Sequence, residues 1–141
     1  MLIGVSPVIS PELIGVLHRM GHGDEIVLAD AFFPGDTCNS RVIRADGIRI
    51  PQLLEGILRL INLDSYVPAP VAMMAPVPGD SLDPEVEKRY RAKLSYDGKI
   101  ERMERYAFYE RAKKAYAVVL TGETVKYGNI IIKKGVVSVS E

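Results

Sequence analysis

Three places along this 141-residue chain carry side chains able to do chemistry. The first is Gly21-His22-Gly23-Asp24, with Asp30 eight positions beyond the histidine and the apolar run EIVLA between them. Imidazole ionises near neutrality, so it both gives and takes protons there. Glycines on either side let the backbone turn sharply and approach a ligand. A carboxylate at the far end of a strand, if that strand ran beneath the turn, would orient the imidazole or accept from a ligand hydroxyl. The second place is Lys126-Tyr127-Gly128-Asn129. A phenol and a primary amide each donate and accept hydrogen bonds without a strong charge, which suits a polyhydroxylated ligand. The third is Arg105, whose planar fork can hold a hydroxyl or a ring oxygen.

Each group also has a plainer explanation. His22 fits a helix stop followed by a polar turn, and 126–129 fits an ordinary turn before a strand. Arg105 fits a solvated cation among Arg102, Arg111, Lys113 and Lys114. On local pattern alone these plainer explanations are the more economical.

Other chemistries find less support. His22, Asp24, Glu25 and Asp30 offer metal-binding atoms. The one other histidine, His18, aligns with His22 only if a helix continues through Gly21, so no metal site is expected. There is no G-x-S-x-G, and Cys38 has no histidine near it in sequence. Neither glycine-rich nucleotide motif occurs. The basic stretch around Arg102–Lys114, with Tyr106, Phe108 and Tyr109, is interleaved with Glu101, Glu104 and Glu110. Over the whole chain 18 Lys+Arg balance 18 Asp+Glu, so nothing marks a nucleic-acid surface. A surface with zero net charge resists self-association weakly, which fits an oligomer.

The elements that must position these groups are legible. "SPELIGVLHRMG" has Ser10 as N-cap, Pro11 in the first turn, apolar residues at helical spacing, and Gly21 as its C-terminal glycine. Helices are likewise expected over 51–61, over 83–94 with Asp83 as cap, and over 106–116, just after Arg105. Short apolar runs at 25–29, 41–45, 71–75, 117–121 and 129–133 read as strands, several covered on both faces. Strands interleaved with helices predict one α/β domain over 1–141, layered helix–sheet–helix. In such sheets ligands sit beyond the carboxyl ends of strands, where Asp30 falls. A lone cysteine, no signal-like start and no apolar run of the ~18 residues a membrane helix needs point to a cytoplasmic protein that spans no membrane.

Taken in order, "SPELIGVLHRMGHGDEIVLADAFFP", "VIRADG", "LDSY", "GDSLDPEVEKRYR", "RYAFYERAKKAYAVVLTGE" and "KYGNIIIKKGV" resemble the L-fucose mutarotase and D-ribose pyranase (FucU/RbsD) family. The likeness spans almost the whole chain and is greater for the fucose branch. It implies an RbsD-like fold with a mixed central sheet. It also implies an isomerase that interconverts anomers of a free monosaccharide, L-fucose or D-ribose, without a cofactor. By the same resemblance His22 is the proton donor, while Asp30, Arg105, Tyr127, Gly128 and Asn129 bind sugar. The family forms ring-shaped decamers with sites near subunit contacts. One departure is Phe32, where the fucose branch often carries a histidine. The alternatives in other classes are a monosaccharide-binding accessory of sugar uptake, without catalysis, and a purely structural ring protein.

Overall fold

The structure, a computed structural model, describes residues 1–140. Its elements are α1 (Pro11–Arg19), β1 (Glu25–Ala29), α2 (Gly35–Cys38), β2 (Val42–Ala45), α3 (Ile50–Ile57), β3 (Val71–Met74), α4 (Pro84–Leu94), β4 (Ile100–Met103), α5 (Arg105–Lys114), β5 (Ala117–Thr121) and β6 (Ile130–Lys133). The strands form one sheet in the order β2-β5-β1-β6-β3-β4. Pairings β1–β5, β2–β5 and β3–β4 are parallel, whereas β6 runs antiparallel to both β1 and β3. Five strands therefore end at one edge of the sheet, and β6 begins there.

Both faces of the sheet are covered, and alternation along β1 shows how. Ile26 and Leu28 join Leu13 and Leu17 of α1, Leu53, Leu54 and Ile57 of α3 and Tyr90 of α4 in one core. Val27 and Ala29 point the other way, into a smaller core with Phe33, Phe108 and Ala112. Successive side chains of a strand face opposite sides, so a strand apolar at every position is buried twice over. This is the expected helix–sheet–helix layering.

The N-termini follow simple capping rules. Ser10 Oγ accepts from Leu13 N–H at 3.1 Å, and Asp83 Oδ1 accepts from Glu85 N–H at 3.0 Å. Each satisfies a donor that the first helical turn leaves unpaired, an effect worth about 1 kcal/mol. Three expectations are corrected. Helix α1 stops at Arg19, with Met20 as its cap, so Gly21 does not end it; Gly23 is the residue with φ +89°. The third helix closes at Ile57, not at 61. Arg105 lies inside α5 as its first residue, because Glu104 caps that helix through a 3.0 Å bond from Ala107 N–H. Strand β4 and the four-residue α2 had no apolar signature. Strand β4 is an edge strand with Glu101 and Arg102 at its centre, buried only at Ile100.

Candidate functional site

Sheet topology brings Asp30 and Asn129 together from opposite ends of the chain. Leu28 pairs with Ile130 across the antiparallel β1–β6 ladder, so the residue just after β1 meets the residue just before β6. Asp30 N–H donates to Asn129 Oδ1 at 2.7 Å. Around them lies a pocket of about 280 Å³, lined also by Phe32, Phe33, Met74, Tyr109 and Tyr127. It sits beyond the carboxyl ends of β1, β3 and β5, as expected for such sheets. A larger cleft of about 710 Å³ between α3 and α4 holds none of the residues singled out by sequence.

Asp30 Oδ1 accepts from Phe32 N–H at 3.0 Å. Burial raises its affinity for a proton; the Phe32 and Phe33 N–H groups and the Asn129 amide partly offset this, while Glu123 adds to it. Asn129 is buried; its Oδ1 accepts from the Asp30 backbone, and its NH2 faces the Asp30 carboxyl.

The 126–129 turn works differently from expectation. Tyr127, not Gly128, adopts the left-handed conformation, with φ 56°. Gly128 is required for space: a Cβ there would lie 2.6 Å from Val125 Cγ2 and 2.9 Å from the Tyr90 hydroxyl. Its carbonyl accepts from that buried hydroxyl at 2.8 Å, which ties α4 to the pocket wall. Tyr127 lends its ring to the pocket, but its hydroxyl is engaged elsewhere. It donates to Asp80 Oδ2 at 2.7 Å and accepts from Val77 N–H at 3.2 Å, fastening the loop after β3. The Tyr127 bond is the main reason the Asp80 carboxyl lies below its usual range.

Arg105 stands outside the pocket lining, one helical turn from Tyr109, which does line it. Its guanidinium lies 4.7 Å over the Tyr106 ring and donates to that hydroxyl at 2.8 Å. Helix α5 is oriented by Phe108 and Ala112 beneath it and by Arg111, which forks onto Glu25 at the start of β1 with contacts of 3.0 and 2.5 Å. The helix thus crosses the sheet from Glu25 toward the Asp30 edge and delivers Arg105 near the pocket rim.

His22 is at the opposite edge. It precedes β1 while Asp30 follows it, and at ~3.3 Å per residue the five-residue strand alone separates them by about 16 Å. The two do not share a pocket within one chain, and Asp30 does not orient His22. The partner of His22 is Asp64, whose Oδ1 lies 2.9 Å from Nε2. Asp64 is only 4% exposed, whereas the His22 side chain is 44% exposed. Asp64 Oδ1 also accepts from Tyr66 N–H at 3.0 Å; that bond first, and His22 second, hold its carboxyl below the usual range. Nothing local in the sequence marks Asp64, because it lies 42 residues from His22. Asp24 and Glu25 prove structural: Asp24 Oδ2 accepts from Gly21 N–H at 2.7 Å, and Glu25 binds Arg111.

Among the described residues no three His, Cys, Asp or Glu side chains cluster as metal ligands, and no helix is long and apolar enough to cross a membrane.

The chain is similar to known proteins along almost its whole length. The sequence model of the RbsD / FucU transport protein family matches residues 3–137. An L-fucose mutarotase of Actinobacillus pleuropneumoniae is 62% identical over 143 aligned positions, covering 99% of both chains. One from Histophilus somni is 57% identical with the same coverage. A crystal structure of the fucose mutarotase from Streptococcus pneumoniae in complex with L-fucose superposes with a TM-score of 0.93 at 48% identity, covering 97% of this chain and all of the other. With a full-length sequence match, high identity and the same mixed sheet, the chain belongs to the RbsD/FucU family.

Proposed function

We propose that this protein is an L-fucose mutarotase, an isomerase interconverting the α and β anomers of the free sugar. The observation that carries the reading is the Asp30–Asn129 pocket, a small, largely apolar recess with these two polar groups in its wall, in a chain 62% identical to an L-fucose mutarotase. Asp30 accepts from a sugar hydroxyl, and the Asn129 amide donates to another oxygen. Arg105 reaches the sugar from the rim. Tyr127 and Gly128 shape the wall, Tyr127 by its ring and Gly128 by its lack of a side chain.

Mutarotation needs two proton transfers. A proton leaves the anomeric hydroxyl as the bond from C1 to the ring oxygen breaks, and a proton arrives on the ring oxygen. The free aldehyde rotates, and the ring closes on its other face by the same transfers in reverse. Each well-placed acid or base contributes roughly 10²–10⁴-fold. His22 is one of these groups. It lies at the far end of β1 from the pocket, so in this reading the His22 beside a given Asp30 comes from a neighbouring subunit. The working form is therefore a closed homo-oligomer, which we take to be the family's decameric ring. Exposed apolar residues at Leu2, Ile3, Val137 and Val139 supply surface for such contacts. We further take residues 1–141 as one domain and the protein as cytoplasmic; its single thiol, Cys38, is buried and free.

Exchange between L-fucose anomers, followed by NMR saturation transfer, tests the reading. Wild-type protein is expected to accelerate exchange and His22→Ala to abolish most of the effect. Thermal stabilisation by fucose without accelerated exchange would instead indicate a binding protein. A panel including D-ribose defines the preferred sugar and any pyranose–furanose exchange.

A further inference from the structure

We propose that Asp64 is the positioning residue for His22, holding the imidazole with its proton on Nε2 so that Nδ1 is the nitrogen that exchanges protons with the sugar. The proposal rests on the reading of His22 as the proton-transfer group.

The geometry carries it. Asp64 is 4% exposed, and its Oδ1 receives two donors, Tyr66 N–H at 3.0 Å and His22 Nε2 at 2.9 Å. An ionised carboxylate only accepts hydrogen bonds, so the ring nitrogen facing it carries the hydrogen. In the neutral ring the lone pair then belongs to Nδ1, which makes no hydrogen bond among the described residues. The ring is partly exposed, with the Tyr66 ring 5.2 Å away and tilted at 58°.

Both partners are pinned to the same short piece of backbone. Asp64 N–H donates to Lys133 O at 2.9 Å, and Gly23 N–H donates to Lys134 O at 2.8 Å. A bridge between Leu63 and Lys134 adds a further tie. The end of β6 therefore fixes the spacing between carboxylate and imidazole, as a preorganised acid/base requires. When Nδ1 takes a proton the ring becomes cationic, and the Asp64 carboxylate stabilises that charge. The proton returns when the sugar ring closes. Asp30, assigned by sequence to tune the histidine, belongs to the other end of the strand; Asp64 fills that role.

The test compares wild-type, His22→Ala, Asp64→Asn and the double variant as intact oligomers. Long-range ¹H–¹⁵N NMR of wild-type protein is expected to show His22 protonated on Nε2 and bare on Nδ1. Asp64→Asn retains an acceptor for Tyr66 N–H but mixes the tautomers. Its kcat for L-fucose anomer exchange is expected to fall about 10–100-fold with KM unchanged. In the His22→Ala background the same change is expected to add no further loss. A wild-type ring protonated on Nδ1 would overturn the proposal, even if Asp64→Asn did not fold. So would an undiminished kcat in Asp64→Asn, or a loss that adds to that of His22→Ala. If Asp64→Asn loses nothing while His22→Ala is inactive, the proposal fails and the mutarotase reading stands. If His22→Ala exchanges fucose like wild type, the reading of the site fails and takes the proposal with it.

Discussion

Two inactive variants of this protein are expected to restore activity when mixed. His22 and Asp30 flank a five-residue strand, which alone separates them by about 16 Å at ~3.3 Å per residue. Proton transfer requires roughly 3 Å between heavy atoms, so one chain cannot apply both groups to one sugar. A site that uses both draws them from two chains. His22→Ala and Asp30→Ala oligomers are each expected to be nearly inactive. If subunits are dissociated, mixed in equal amounts and reassembled at random, a site keeps both wild-type groups when two neighbours are of the right types. That gives about a quarter of wild-type sites in a closed ring of heterologous contacts. Saturation transfer on L-fucose measures recovered exchange against the fraction mixed. Complete lack of recovery from oligomers shown to contain both variants would refute the two-chain site. Recovery without subunit exchange would refute it equally.

Further outcomes follow from the pocket's electrostatics and packing. Burial raises the Asp30 pKa above its ordinary 3.8, so the native state holds that proton more tightly than the unfolded chain. Its contribution favours folding at low pH and is lost as pH rises through the folded-state value. Asp30→Asn is therefore expected to raise the melting temperature at pH 7 while abolishing fucose exchange, with the gain disappearing below about pH 3.8; a lower melting temperature at pH 7 would contradict this. Tyr90→Phe removes the buried donor to the Gly128 carbonyl and is expected to cost about 1–3 kcal/mol in denaturant unfolding. Phe32 is 78% exposed yet lines the pocket, so Phe32→Ala is expected to raise KM for L-fucose several-fold with kcat little changed; a loss confined to kcat would assign it another role.

Much of the fold was legible because local rules settle it. Ser10 with Pro11, and Asp83 with Pro84, announce helix starts, and the continuous apolar runs of β1, β3 and β5 announce strands buried on both faces. Strand β4 escaped notice because an edge strand needs no second apolar face. Parts of the candidate site were legible as residue types and invisible as geometry. Eight positions apart, His22 and Asp30 look close in sequence, yet an extended strand places them at opposite edges of the sheet. The pairing of Asp30 with Asn129 spans 99 residues and depends on β6 running antiparallel beside β1. Asp64 lies in "LDSY" with nothing local to mark it, and its meaning lies in a contact across 42 residues. Gly128 shows a subtler limit: a glycine kept for lack of space reads in sequence like one kept for a turn.

The most direct test of the account is the rate of exchange between the α and β anomers of L-fucose, measured by NMR saturation transfer at neutral pH with and without protein. The account predicts faster exchange in proportion to wild-type protein and a return to nearly the uncatalysed rate with His22→Ala. Exchange at the uncatalysed rate in the presence of folded wild-type protein would contradict it.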